Sequence, residues 1–496
     1  MSRLDASLQL SPIQLLPPEL LELIFQATGD HKPTLNVLCR TCPQFLDMAR
    51  RRLYRSTTLY ELDVALDGGG SAVIEQRKRL FDENLERLHL KHWRHDADTV
   101  VTASVIPHVR TFLETASLPR LGLLRIEFLT ELALASLEWL VVNRHDGIAK
   151  QIRELVVYCS TDYIDRAIPL GKLLDQLTDL DYSRVWFHAS DEANGPDDGD
   201  LDRALVTPDK VVALIPRHSK RVAFTTIQAF DYEVYEAIRQ HTAGRLHQFY
   251  DTGASHDERH IVNILTSSLT QPVSSRAVAT TGIAKLRINS SILQNAAVRT
   301  AIGNVSGQLH TLSIITWDDV GAYLTDDITE MFVNRTWPNL QLLELTGIQP
   351  QDLGGGMGAF LKQLVPVMPS LFFLSWMPYG SLTGRYLPFY EADDQLTHYV
   401  NMAREAAEAI SAFKNLTVVD MTFSEKTPEH INLLISMLAT HWSNSKRAKS
   451  SRVAKIVVCS WMDEKIAATV KSNAYAMLPQ RFSSNNSFVI TKVPSF

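Results

Sequence analysis

The sequence contains little cysteine, with four residues in a chain of 496. So few cysteines over this length do not form a disulfide framework. Cys39 and Cys42 form a Cys-x-x-Cys pair, whereas Cys159 and Cys459 stand alone. A zinc site needs further ligands at suitable spacing, and the sequence holds no second pair. We therefore expect packed core cysteines, and neither a metal nor a cofactor.

Long apolar runs are missing as well. No stretch of 18 uninterrupted apolar residues is present, so we expect no membrane partner. The start, MSRLDASLQLSP, lacks the apolar run of a signal peptide, which favours a cytoplasmic and/or nuclear location. The 49 basic and 55 acidic residues are interspersed and give a net charge of -6. This balance does not favour nucleic acid as a partner.

Signatures of catalysis are absent too. The sequence has no Gly-x-Ser-x-Gly elbow, no His-Glu-x-x-His and no P-loop. The glycine run 354–358 lacks the Lys-Ser/Thr pair of a phosphate loop and is interpreted as an ordinary loop. His89, His92 and His95 would share one side of a helix, but Leu88 and Leu90 fit a strand instead. We predict that the protein is not an enzyme.

A six-residue pattern, apolar-x-x-apolar-x-apolar, recurs along most of the chain. Its ten copies begin at residues 85, 121, 152, 177, 283, 309, 340, 371, 416 and 453. Their fourth and sixth residues point to the same side of a short strand. Most spacings are near or above those of leucine-rich repeats, and the gap from 177 to 283 predicts degenerate units near 221–227 and 246–250.

Stacked repeats of this kind predict an α/β solenoid, with parallel strands on the concave face and helices on the convex face. Position nine of the repeat, usually Asn or Cys, is Asn in none of the ten copies, so the array is irregular. Residues between the apolar strand positions face outward. Those expected to line the concave side include Arg87, His89, Arg125, Glu127 and Arg287.

The stretch 15–54, LLPPELLELIFQATGDHKPTLNVLCRTCPQFLDMARRRLY, predicts three short helices. Pro17 and Pro18 suit a helix entry, and the following apolar residues have helical spacing. A second helix is predicted from Thr34 as its N-cap until Pro43 bends or ends it, and a third from about Gln44 to Tyr54. Three such helices bury too little surface to be robust alone. We expect a partner to complete this module.

This stretch resembles the F-box motif. The matching residues are Leu16-Pro17-Pro18-Glu19-Leu20-Leu21, Ile24-Phe25, Leu35, Leu38-Cys39-Arg40, Phe45 and Leu53-Tyr54. The remainder is similar to F-box proteins with C-terminal leucine-rich repeats, of the divergent kind common in fungi. The predicted organisation is an F-box at 12–58, a linker with a helix at 59–84, a repeat solenoid at 85–465 and a C-terminal capping segment at 466–496.

The resemblance implies a three-helix F-box that binds a Skp-type adaptor, and through it cullin and RING subunits, while the repeats hold a protein substrate. An apolar face left over on such a module suits a helix-in-groove interface. The residues predicted to contact the adaptor, some of which belong to the internal core of the module, are Leu16, Pro17, Leu20, Leu21, Ile24, Leu38 and Cys39.

The segment 375–394, SWMPYGSLTGRYLPFYEADD, is a second candidate for binding. It is rich in aromatic residues, and loops on a rigid scaffold often carry binding function. The segment either contacts a substrate or covers core residues that would otherwise be exposed between two repeats. The residues assigned to substrate contact are Trp376, Tyr379, Arg385, Tyr386, Phe389 and Tyr390.

The sequence therefore predicts a non-catalytic substrate-recognition subunit of an SCF-type cullin-RING ubiquitin ligase, which acts by proximity. Two alternatives remain open. The chain can be an F-box protein that acts outside the ligase, or a leucine-rich-repeat scaffold whose N-terminal helices cap the array.

Overall fold

The protein is described by a computed structural model. It describes residues 32–41, 43–67, 70–91, 107–127, 129–143, 147–188, 206–227, 229–253, 258–269, 282–315, 322–324, 326–346, 348–350, 356–377, 404–405, 407–422, 432, 435–436, 439–440, 453, 455–460, 464–477 and 488–492. The chain divides into two compact units. The first comprises residues 1–186 and 190–221, and the second comprises 187–189 and 222–496.

Two helices open the described chain: α1, Lys32–Thr41, and α2, Pro43–Leu53, which pack against each other. They match the predicted second and third helices. Helix α1 begins two residues earlier than predicted, with Pro33 in the first turn, where its missing amide hydrogen is not needed. Pro43 begins α2 for the same reason. The predicted first helix, around Leu20–Phe25, lies outside the described residues.

Five parallel strands follow one another in chain order in the first unit. They are β1 Ser56–Thr58, β2 Arg87–Leu90, β3 Leu123–Glu127, β4 Glu154–Ser160 and β5 Tyr182–His188. The helices of this unit are α3 Leu59–Asp67, α4 Ser71–Asn84, α5 Pro107–Thr115, α6 Glu131–Val141, α7 Ala167–Leu174 and α8 Pro208–Ala213, with 3-10 turns at Ile148–Lys150 and Thr161–Arg166.

The second unit repeats the arrangement. Its neighbouring parallel strands are β6 Val222–Thr226, β7 Leu246–Asp251, β8 Lys285–Asn289, β9 Thr311–Ile315, β11 Leu342–Thr346, β13 Phe373–Met377, β14 Val418–Thr422, β15 Lys455–Ser460 and β16 Phe488–Lys492. A separate parallel pair joins β10 Ala322–Leu324 to β12 Ile348–Pro350. The helices are α9 Tyr232–His241, α10 Arg259–Leu269, α11 Ala296–Asn304, α12 Asp326–Val333, α13 Gly356–Val367 and α14 Glu464–Met477, with a 3-10 turn at Ser290–Gln294.

One backbone contact recurs at the start of the strands. The carbonyl of repeat position two accepts hydrogen bonds from positions two and three of the next repeat. Glu86 O accepts from the amides of Gly122 at 3.1 Å and Leu123 at 3.0 Å, and His310 O accepts from those of Gln341 and Leu342. This shared carbonyl marks the register of the repeats on both sides of β6 and β7, where different contacts such as Val222 N to Arg245 O replace it. It confirms the parallel α/β repeat architecture.

The same contact corrects one predicted repeat. Asp181 and Tyr182 donate to Arg153 O at 2.8 and 3.2 Å, so Asp181 occupies position two. The repeat therefore begins at Leu180 and not at 177. Its fourth position is Ser183, which is fully buried where neighbouring repeats place leucine. Ser183 breaks the apolar pattern of the repeat that begins at Leu180. Leu177 and Leu180 have the spacing of positions one and four, so the sequence pattern favoured a start at 177.

Parallel strand pairing continues on both sides of 85–465, the predicted repeat region, and the domain bounds themselves stay a prediction. Glu86 and Arg87 donate to Arg55 O, which places a repeat start at Tyr54 and makes 59–84 the helical part of a repeat instead of a linker. At the other end, β16 pairs in parallel with β15 through residues predicted to cap the array. Both outer repeats depart from the leucine pattern, and Thr57 fills the fourth position of the first.

Strands β6 and β7 confirm the degenerate units predicted between 177 and 283. The register aligns Thr226 with Asp251, and Asp251 with Ile288, at inward position six. Thr226 and Asp251 are both almost fully buried. These polar core residues explain why the apolar pattern could not be found here.

Helices α7 and α8 come unusually close at Gly171. A Cβ built on this glycine would lie 2.9 Å from the carbonyl oxygen of Ala213 and 3.0 Å from its Cβ. Replacing a helical glycine with alanine normally stabilises a helix. We expect Gly171→Ala to lower the free energy of unfolding by about 1–3 kcal/mol, because the backbone of α8 must shift. Urea denaturation followed by circular dichroism measures the change.

Gly307→Ala is the matched control, because a Cβ there meets no atom within 4 Å. It should change the urea midpoint little. Equal midpoints for Gly171→Ala and the unmodified chain would contradict the close approach.

Candidate functional site

The outer face of the sheet is defined here as the side that carries repeat positions three, five and seven, opposite the buried fourth and sixth positions. In the first unit, the register places His89, Arg125 and Val156 in one row and Glu127 beside Tyr158 in the next. The predicted outward orientation of Arg87, His89, Arg125 and Glu127 agrees with this geometry. Arg287 lies on the outer face of the second unit.

Glu127 joins two cations on the outer face. Its side chain is only 9% exposed; Lys91 Nζ lies 2.5 Å from Oε2, and Arg125 pairs with Oε1. Both carboxylate oxygens are therefore occupied by protein cations. Burial, and then the neighbouring Arg125 guanidinium, lower the pKa of His89 below its usual value. His89 thus adds no positive charge to this face at neutral pH.

A stack of planar groups continues from Arg125. Its guanidinium carbon lies 4.5 Å from the ring centre of Tyr158, and Tyr158 stacks on Trp186 with centroids 5.6 Å apart. Tyr182 has two arginine neighbours, Arg184 and Arg221, each with its guanidinium carbon 5.9 Å from the ring centre. Arginine and aromatic side chains in this arrangement are typical of protein recognition surfaces.

The outer face of the second unit carries charges of both signs at position five. The register runs Tyr250, Arg287, Ser313, Glu344, Ser375 and Asp420. Arg287 Nη2 reaches across the strand of Ser313 to contact Glu344 Oε1 at 3.3 Å and Oε2 at 3.5 Å. The small serine between them leaves room for this long contact.

Asp420 lacks a comparable partner. Its Oδ1 atom is buried and accepts no hydrogen bond from the described residues. Burial, and then the negative charge of Glu344, raise the pKa of Asp420 to about 6, against a smaller lowering by Lys455. This carboxyl group therefore gains and loses its proton near neutral pH.

Five of the predicted adaptor-binding residues lie outside the described residues: Leu16, Pro17, Leu20, Leu21 and Ile24. Leu38 and Cys39 lie on α1, where Leu38 is half-buried. Beside Leu38, Val37 is 60% exposed. The structure thus brings Leu38 and Cys39 together on one helix and leaves the other positions as predictions.

The predicted substrate-contacting loop is corrected at its start. Ser375 and Trp376 belong to β13, where Trp376 aligns with Leu345 and Met421 of the neighbouring strands. Trp376 therefore lies in a repeat strand, and its substrate contact stays a prediction. Tyr379, Arg385, Tyr386, Phe389 and Tyr390 lie outside the described residues.

A buried polar cluster in the second unit has the residue types of a catalytic site. His260 Nε2 lies 2.9 Å from Asp251 Oδ2, and the ring of Tyr235 stacks on His260 at 3.8 Å. Asp251 Oδ1 also accepts a hydrogen bond from the amide of Gly253. The side chains of Asp251 and His260 are at most 4% exposed. A substrate cannot reach them, so the cluster is structural and ties α10 to the end of β7.

The remaining chemical candidates in the described ranges are also buried or incomplete. Cys159 is buried, and burial raises the pKa of its thiol to about 12, so it is not a reactive thiolate at neutral pH. Within these ranges, no group of three His, Cys, Asp or Glu side chains could hold a metal ion. None of the helices described there has the length and apolar character needed to cross a bilayer.

Sequence reasoning missed Tyr158, Tyr182, Arg184, Trp186 and Asp420. Tyr158 and Asp420 stand at outward positions of repeats that were found, so the repeat frame alone could have pointed to them. The other three follow from the repeat that begins at Leu180, which the misplaced frame concealed. Their stacking with side chains of other strands leaves no signal in the sequence.

Comparisons with known proteins add little. No protein-family model matches the sequence, and no curated protein does. Among solved structures, the crystal structure of the TLR13-ssRNA13 complex matches 84% of this chain and 63% of that chain. The sequence identity is 9% and the TM-score is 0.28, too low to support an argument. The parallel α/β repeat architecture of this chain rests on its own strand register.

The raised pKa of Asp420 predicts a pH-dependent stability. The pKa of Asp420 is about 4 in the unfolded chain and about 6 in the folded chain. Between these two pH values the unfolded chain has released the proton, whereas the folded chain still holds it. The stabilising contribution is present at low pH and is lost as pH rises through 6. We expect Asp420→Asn to be more stable than the unmodified chain at pH 7.5, on the order of 1 kcal/mol after allowance for solvent screening.

Urea midpoints measured at pH 4, 5, 6 and 7.5 test this expectation. The difference between Asp420→Asn and the unmodified chain should grow across this range. Asp326→Asn, an exposed position at the start of α12, is the control and should not reproduce the trend. A constant difference at every pH would contradict the assigned pKa.

The Asp251–His260 pair predicts a non-additive effect on stability. His260→Leu leaves a buried acceptor without its partner and should lower the free energy of unfolding by about 1–3 kcal/mol. The double variant Asp251→Leu with His260→Leu should recover part of this loss, because Ile288 fills the equivalent inward position in the next repeat. Chemical denaturation of the single and double variants measures the coupling. Simple addition of the two single effects would contradict it.

Proposed function

We propose that the chain is a non-catalytic recognition subunit of a cullin-RING ubiquitin ligase. In this proposal the N-terminal segment binds a Skp-type adaptor in the cytoplasm or nucleus, and the repeats hold a protein target. The subunit accelerates ubiquitin transfer by raising the effective concentration of the target near the charged carrier. No group in this chain takes part in bond making.

One observation carries the proposal. The segment with the LPPELL and LCR motifs leads directly into an array of parallel strands with arginine and aromatic side chains on its outer face. Helices α1 and α2 occupy the places expected for the second and third helices of an F-box. These features support a protein with two binding regions, one in the N-terminal segment and one on the strand array.

Two alternative functions use the same features. An F-box protein outside the ligase would bind the adaptor without recovering a cullin. A repeat scaffold would use α1 and α2 as a cap and bind no adaptor. Both alternatives retain the outer face as a protein-binding surface, so adaptor and cullin recovery discriminate among the three.

Co-purification with a Skp-type adaptor tests the proposal. The unmodified chain should recover the adaptor in stoichiometric amount, and Leu20→Asp with Leu21→Asp should abolish recovery, because charged groups cannot be buried in an apolar groove without a partner. Leu8→Asp with Leu10→Asp is the matched control, since this leucine pair precedes the motif. It should bind the adaptor normally.

The outcomes separate the alternatives. If the unmodified chain fails to bind the adaptor, the proposal and the non-ligase alternative are both wrong. Adaptor binding without cullin, under conditions where another F-box protein recovers cullin, favours the non-ligase alternative. Recovery of adaptor, cullin and RING subunits together supports the ligase subunit.

A further inference from the structure

The outer face of the first unit has an excess of positive charge. Arg87, Lys91, Arg125 and Arg184 lie on it, and Arg221 lies beside Tyr182. Among the described residues, the carboxylates in the same rows are Glu127 and Glu154, and the charge of Glu61 also acts on His89. Since His89 is neutral, the five cations exceed these three acids by two. Such a surface attracts a negatively charged partner.

Three of these cations are available to a partner. Lys91 and Arg125 already share Glu127, whereas Arg87, Arg184 and Arg221 form no ion pair within the described part of the chain. Arg184 and Arg221 lie on Tyr182, and Arg184 also donates a hydrogen bond to the Tyr182 hydroxyl at 3.4 Å. Their guanidinium groups are held in place before binding, which reduces the entropy lost when they pair with carboxylates.

The aromatic side chains add an apolar surface next to these charges. Tyr158 and Trp186 stack at an interplanar angle of 21° and are only partly buried. A partner side chain placed on Trp186 would therefore have Arg184 two residues away on the same strand. This combination suits an extended segment whose acidic and apolar residues stand at every second position, so that both kinds of side chain face the sheet.

Nucleic acid fits this surface less well. Glu127 and Glu154 lie among the cations, and a continuous phosphate backbone would approach both carboxylates. A peptide with separated carboxylates can pair with the free arginines and avoid the two acids. Charge complementarity thus favours an acidic peptide over single-stranded RNA.

We propose that the outer face of the first unit, defined by Arg87, Tyr158, Tyr182, Arg184, Trp186 and Arg221, binds an extended acidic segment of a protein partner. Carboxylates pair with Arg184, Arg221 and Arg87, and an apolar side chain packs on Trp186. This inference deepens the proposed function, on which it rests, by naming the class of target segment.

Fluorescence anisotropy on the full-length chain tests the inference. The probe, called the Glu-Leu peptide, is a labelled peptide of about ten residues that carries Glu and Leu in turn at every second position with Ser between them. It is long enough to cross four or five strands spaced about 4.8 Å apart, and its Glu and Leu side chains share one face when it is extended. Arg184→Ala with Arg221→Ala should weaken its binding about tenfold or more, since two charge-assisted contacts are lost. Arg79→Ala on α4, with a side chain that is 79% exposed, is the control and should bind normally.

Two further probes decide between partner classes. The same peptide with Lys in place of each Glu should bind weakly, and so should a single-stranded oligouridine of about ten nucleotides. The Trp186→Ala variant should weaken the Glu-Leu peptide more than a Glu-Ala peptide. Urea midpoints for each variant establish that the fold is retained.

The inference is overturned if the Glu-Leu peptide does not bind the unmodified chain, or if the double arginine variant binds it equally well. Tighter binding of the RNA, lost in the same variant, would assign the face to nucleic acid instead. The Leu20→Asp with Leu21→Asp variant should retain peptide binding. Failure of the unmodified chain to recover the adaptor, with peptide binding intact, would refute the proposed function alone, and adaptor recovery without peptide binding would refute this inference alone.

Discussion

The carbonyl at repeat position two is the contact on which the rest of the structure depends. On both sides of the polar repeats at β6 and β7, it accepts two amide hydrogens from the next repeat and so fixes the register and the parallel direction of neighbouring strands. A slip of one residue would turn every inward leucine to the outer face. The rows of Arg125, Tyr158 and Glu344 are thus consequences of a backbone contact that does not depend on side-chain identity.

This separation explains what could be predicted from the sequence. The apolar hexamer determines strand position wherever leucine or isoleucine fills positions four and six, and nine of the ten copies were placed in the correct frame. The apolar pattern did not give the correct strand positions where the inward residues are polar. Ser183, Thr226 and Asp251 occupy inward positions, and only three-dimensional neighbours such as His260 make Asp251 tolerable there.

The candidate site was predictable to a smaller extent. Outward orientation follows from the repeat, so Arg87 and Arg125 could be assigned to the outer face in advance. Stacking of Tyr158 on Trp186 joins residues of different strands, and the burial that raises the pKa of Asp420 comes from surrounding strands. Such properties arise from packing among repeats, and a pattern within one repeat contains no record of them.

The contact between Arg287 and Glu344 has a consequence for how this array can change in length. It crosses the intervening strand of Ser313, so it couples three consecutive repeats. An inserted repeat would separate the two charges by about 14 Å, beyond the reach of an arginine side chain. Duplication or loss of a repeat is often tolerated in modular arrays, but here it would break an ion pair. The three repeats from β8 to β11 are therefore expected to be retained together.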